Sequence, residues 1–65
     1  MRYSKELHPL IALKWMRTIL NFPQFKITLS YSKRHVGLWR VTISTNADHY
    51  VDDLNTILSA LLKLI

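Results

Sequence analysis

Cysteine is absent from the 65 residues, so the chain has no disulfide framework and no thiolate metal site. That absence permits a reducing compartment and fits an intracellular, cytoplasmic protein. A single glycine excludes a glycine-rich phosphate loop. No linker, repeat or low-complexity tract interrupts the chain. No apolar run approaches the roughly 18 residues of a membrane span. Acidic residues are scarce as well, four against nine Lys and Arg, which leaves a formal net charge of +5. Apolar residues make up 49%, too many for the low-hydropathy, high-charge signature of disorder. A chain of this length forms one domain, residues 1–65, with little core to spare.

The charge is lopsided. Residues 1–40 hold Arg2, Lys5, Lys14, Arg17, Lys26, Lys33, Arg34 and Arg40 against Glu6, whereas residues 41–65 hold Lys63 against Asp48, Asp52 and Asp53. Such asymmetry points to a basic surface rather than to scattered charge.

Hydrophobic periodicity divides the chain into four elements. A helix starts at Pro9, whose missing N–H suits the first helical position. At 100° per residue Ile11, Ala12, Leu13, Trp15, Met16, Ile19 and Leu20 share one broad arc, with Lys14 and Arg17 on the remainder. Asn21-Phe22-Pro23 ends it. Phe25 to Ser32 then alternates: Phe25, Ile27, Leu29 and Tyr31 point one way, Lys26, Thr28, Ser30 and Ser32 the other. After the turn Lys33-Arg34-His35-Val36-Gly37, the apolar set Trp39, Val41, Ile43 alternates with Arg40, Thr42, Ser44. Period-two patterns on both sides of a glycine-bearing turn predict an antiparallel hairpin with a basic tip. Thr45 or Asn46 caps a last helix, with Asp48 in its first turn. Tyr50, Val51, Leu54, Ile57, Leu58, Leu61, Leu62, Leu64 and Ile65 cover one side of it. The expected fold is α+β, a small α-β-β-α module in which two amphipathic helices cover one face of the hairpin.

A two-stranded sheet is marginal alone, and both of its edges are open. A homodimer that joins hairpins or packs helices across a two-fold axis is the expected remedy, or a place as subunit of a larger assembly. Leu58, Leu61, Leu62, Leu64, Ile65 and Trp15 are the expected interface residues, because the last helix is unusually apolar and tryptophan anchors interfaces. For Trp15 and Trp39 the core reading is favoured over that of interface anchor, since both fall on apolar faces.

The basic set is the strongest functional signal. Lys33 and Arg34 sit at the hairpin tip, Lys26 and Arg40 on an open sheet face among hydroxyls, and Lys14 and Arg17 on the first helix. Lys, Arg and hydroxyl side chains are the usual phosphate contacts, so these six are the candidate nucleic-acid-binding residues, for RNA or DNA. The aromatic residues of the hairpin fall on the buried face in this reading, which argues against stacking on bases. An acidic protein surface would fit the same charge. The alternative is a protein–protein interaction module, such as a small inhibitor or regulator, that binds through apolar helix faces or a free strand edge.

Signals for chemistry are weak. His8, His35 and His49 are scattered, and no cysteine completes a metal set, so neither metal nor other cofactor is expected. Asp48 and Asp52 share a helix face near its N-terminus, where carboxylates complement the dipole. No nucleophile and base stand at a recognisable spacing, and so small a core holds no substrate pocket. The chain reads as non-enzymatic, with no small-molecule substrate.

One stretch carries a resemblance. Arg40-Val41-Thr42-Ile43-Ser44, then Asn46, then Val51-Asp52-Asp53-Leu54 and a leucine-rich helix, is similar to the closing strand and helix of fold-type-I pyridoxal-phosphate aminotransferases. The resemblance implies a substrate-carboxylate contact for Arg40. It spans residues 40–65, and the large domain, cofactor lysine and phosphate loop have no counterpart here, so it implies at most a fragment without activity.

Overall fold

A computed structural model describes residues 2–45 and 51–64. Five elements follow in chain order: β1 (Arg2–Leu7), α1 (Pro9–Ile19), β2 (Lys26–Tyr31), β3 (Trp39–Ser44) and α2 (Val51–Leu62). The strands form one antiparallel sheet in the order β1-β3-β2. The fold is therefore α+β, but its order is β-α-β-β-α, and the expected α-β-β-α arrangement lacked its first strand. No helix among the described residues is long and apolar enough to cross a membrane.

β1 escapes a periodicity reading because Lys5 occupies a core-side position. The register aligns Tyr3 with Ile43 and Ile27, Lys5 with Val41 and Leu29, and Leu7 with Trp39 and Tyr31. Two of these three β1 positions are apolar, and the third lies at a sheet edge. There a lysine stem covers apolar surface while its ammonium reaches water. The third strand also removes the argument that a bare hairpin needs a second copy to complete its sheet.

The remaining elements follow local rules. His8 caps α1: its Nδ1 accepts from the Leu10 N–H at 3.2 Å, and Pro9 fills the first helical position. Phe25 N–H donates to the Phe22 carbonyl at 3.1 Å across the turn into β2. In the hairpin loop, Ser32 N–H donates to the Leu38 carbonyl and Ser32 Oγ accepts from the His35 N–H, both at 3.1 Å. The expected caps Thr45 or Asn46, and Asp48, concern the segment leading into α2; residues 46–50 lie outside the described residues, as do Met1 and Ile65.

Gly37 has a φ of +88°, as its place in the turn predicts, and open space surrounds it. Gly37→Ala therefore meets no clash, only the left-handed backbone penalty of about 1–2 kcal/mol. For a domain of this size that is a fall in Tm of roughly 4–8 °C per kcal/mol, read by thermal unfolding. Gly37→Asn is expected to lose less, because asparagine tolerates that region.

The core joins Leu7, Val41 and Ile43 of the sheet, Ala12, Trp15 and Ile19 of α1, Phe25, and Leu54, Leu58 and Leu61 of α2. Trp15 lies at its centre, fully buried and stacked on Tyr3 with ring centroids 6.4 Å apart. The opposite sheet face carries Arg2, Ser4, Glu6, Lys26, Thr28, Ser30, Arg40, Thr42 and Ser44, all half-buried or exposed. The helices thus cover one face and leave the other to solvent.

Candidate nucleic-acid interface

The register sorts the open face into three rows. Arg2, Ser44 and Lys26 form the row farthest from the hairpin loop; Ser4, Thr42 and Thr28 form the middle one; Glu6, Arg40 and Ser30 form the row nearest it. At about 3.3 Å per residue, the outer rows lie roughly 13 Å apart along the strands. Two cations, Arg2 and Lys26, stand at one end. At the other, Arg40 adjoins the loop that carries Lys33 and Arg34. Hydroxyls fill the space between, and Ser4 Oγ and Thr42 Oγ1 are hydrogen-bonded at 3.0 Å.

Arg40 is not free. Its Nη2 and Nε donate to Glu6 Oε1 at 3.0 and 3.3 Å across the β1–β3 pair. The Arg40 hydrogen bond holds the Glu6 carboxyl below its ordinary value, which favours the charged carboxylate. Both side chains meet solvent, which screens the pair. These bonds use Nη2 and Nε and leave Nη1 unengaged. The aminotransferase resemblance implied a substrate carboxylate for Arg40; here the carboxylate it holds belongs to its own chain.

On the β2 side of Arg40 opens a cleft of about 280 Å³ lined by Ser30, Tyr31, Lys33 and Arg40. It unites two of the six candidate cations with a hydroxyl and an aromatic ring. Tyr31 alternates with the core side, as its sequence position suggests, yet it is 79% exposed. Its ring packs on Trp39 with centroids 5.1 Å apart and is otherwise open to water. Periodicity assigns a side chain to a face but not to the part of that face the helices reach. Tyr31 sits at the end of an edge strand, beyond their cover.

The other candidates separate. Lys26 lies at the far end of the open face beside Arg2, a cation the sequence reading did not single out. Lys14 and Arg17 are exposed on the side of α1 turned from its buried residues Ala12, Trp15 and Ile19, and so face away from the open sheet face. They share that side with Leu10 and Leu20, 65% and 68% exposed. Of the expected interface residues, the core claims Trp15, Leu58 and Leu61; Leu62 and Leu64 are exposed, and Ile65 lies outside the described residues.

A larger cleft of about 390 Å³ lies between the turn before β2 and α2, lined by Phe22, Gln24, Asp53, Thr56 and Ile57. With an acid and no cation on its walls it does not suit an anion. Among the described residues no group of three or more His, Asp or Glu is placed to hold a metal ion.

These features define a class: a small βαββα module with a three-stranded antiparallel sheet, one face packed and the other polar and basic. Compared with protein-family models, curated proteins and solved structures, the chain matches none of them.

Proposed function

We propose that this chain is a non-enzymatic module that binds nucleic acid through phosphate contacts, with the hairpin end of its open sheet face as the site. The observation that carries the reading is the cleft in which Lys33 and Arg40 converge with Ser30 and Tyr31. Lys33 and Arg34 supply exposed cations at the loop, Ser30 a hydroxyl, and Arg40 a guanidinium with Nη1 to spare. Lys26 and Arg2 extend the contact along the face past Thr28 and Thr42. A net charge of +5 draws a polyanion toward the chain. The test is a titration with labelled single-stranded and duplex oligonucleotides at about 50 and about 200 mM salt. Binding that weakens steeply across that range supports the reading, and no binding at the lower salt refutes it.

Glu6 restrains the site, because it competes with phosphate for Arg40. Glu6→Gln is expected to raise oligonucleotide affinity, because it removes the negative charge that competes with phosphate for the Arg40 guanidinium. The same release occurs in the parent protein as pH falls through the lowered Glu6 pKa. The sign for folding is the opposite. A carboxylate whose pKa is depressed in the folded state stabilises above its unfolded value, and that contribution is lost on acidification. Affinity measured for the variant near neutral pH checks the first statement, and an acid titration of the parent checks the second.

A second reading has one observation in its favour. Leu10, Leu20, Leu62 and Leu64 are 43–68% exposed, more apolar surface than the helical layer needs for its own packing. A partner protein on that layer would leave the open sheet face unused, so the two readings predict different footprints.

A further inference from the structure

We propose that a second copy of this chain pairs along the free edge of β2, strand against antiparallel strand about a two-fold axis. β3 is paired on both sides, so β1 and β2 are the edges of the sheet. They are not equivalent. β1 carries Lys5 at the middle of its core-side row, and an inward charge on an edge strand guards it against pairing. β2 has no such guard. Its core-side residues are Ile27, Leu29 and Tyr31, and its only charge is Lys26 at the start. Ile27 and Leu29 are half-buried and Tyr31 is 79% exposed, so the outer side of this apolar row is uncovered.

The strand is complementary to itself. With Leu29 opposite its own copy, Ile27 faces Tyr31, Thr28 faces Ser30 and Lys26 faces Ser32. Every pair joins side chains of one sheet face, no cation meets a cation, and Ile27–Tyr31 and Thr28–Ser30 are the aromatic–β-branched and hydroxyl combinations that stabilise sheets. The neighbouring register, centred on Thr28, sets Tyr31 against Phe25, which its own core already buries. The Leu29 register is therefore the one that covers Tyr31.

The dimer has a consequence for charge. A two-fold axis normal to the sheet keeps both open faces on one side of a continuous sheet. Lys26 of the second copy then comes alongside Ser32, next to the cleft that holds Lys33 and Arg40. Cations that a single chain keeps at opposite ends of its face become one band. The pairing itself does not rest on nucleic acid, and its test contains none.

Sedimentation equilibrium from low to high micromolar concentration should show a mass rising from 7.7 kDa toward twice that value. Each copy carries +5, so association should strengthen with salt, the opposite of the trend for phosphate contacts. Tyr31→Lys places a charge opposite Ile27 at a site exposed enough to spare the fold, and should leave a monomer. Ser4→Lys, on the β1 edge, should leave the dimer intact. In hydrogen exchange, the outward amides of β2 should gain protection with concentration while those of β1 do not. A mass of 7.7 kDa at every concentration and salt overturns the proposal. So does a dimer that survives Tyr31→Lys with β2 amides unprotected, which would move the association to the helical layer.

Discussion

Trp15→Ala is expected to remove between about a third and all of the chain's folding stability, the largest loss of any single substitution in this core. Trp15 is the largest fully buried side chain, stacked on Tyr3 and set where α1, α2 and the sheet meet. Truncating a buried tryptophan costs about 3–5 kcal/mol, the lost burial plus the cavity left behind. At about 0.05–0.15 kcal/mol per residue, a chain this small has a total stability of roughly 3–10 kcal/mol. The loss therefore consumes a third of the stability at best and all of it at worst. Trp15→Phe is the informative companion. The indole Nε1 is buried with no hydrogen-bond partner among the described residues. A buried, unsatisfied donor costs about 1–3 kcal/mol, and phenylalanine removes it along with part of the ring. The phenylalanine variant is thus expected to lose far less than the alanine variant and to keep its oligonucleotide affinity. Thermal and urea unfolding followed by circular dichroism reads both. An alanine variant that melts cooperatively within a few degrees of the parent would show that this core does not close on Trp15.

The same residue shows how far a one-dimensional pattern reaches. Trp15 falls on the apolar arc of a helix whose start Pro9 announces, and the structure buries it. The hairpin was equally legible, because alternation from Lys26 to Tyr31 and from Trp39 to Ser44 needs only the period of a strand. Gly37 at positive φ follows from the single glycine standing in the turn. Three other features were not legible, for related reasons. β1 hides behind Lys5, which is tolerable only because that position is an edge. The Glu6–Arg40 pair joins residues 34 positions apart, and no local signal links them until β1 is placed beside β3. The exposure of Tyr31 depends on where the helices end, which the strand's own period does not encode. The candidate site was legible as a set of cations but not as a grouping. Topology decided that Lys33 and Arg40 share a cleft, that Lys26 stands apart beside Arg2, and that Lys14 and Arg17 face the other way.

That grouping makes the largest functional prediction. The double reversal Lys33→Glu/Arg34→Glu is expected to abolish most of the salt-sensitive affinity for oligonucleotides and leave the fold intact, because both side chains are exposed in the hairpin loop. If Lys26, Lys33, Arg34 and Arg40 each meet one phosphate, the logarithmic salt slope on a duplex is about −3.6, and a fourfold rise in salt weakens binding roughly 150-fold. With two contacts removed the slope halves, and the same rise weakens what remains only about 12-fold. Affinity at low salt also falls, since two repelling carboxylates replace two attracting cations. The control is Lys14→Glu/Arg17→Glu on the outer side of α1, which changes net charge by the same amount at a place turned away from the open face. If the hairpin end is the site, the helix variant keeps an affinity close to the parent's and an unchanged slope. Equal losses in both variants would reduce the interaction to long-range attraction between a basic globule and a polyanion, which screening weakens without regard to position. The comparison works because the fold sets Lys33 in the cleft beside Arg40, with Arg34 next to it in the loop, and turns Lys14 and Arg17 away from the open face. Net charge is then held constant while geometry alone is varied.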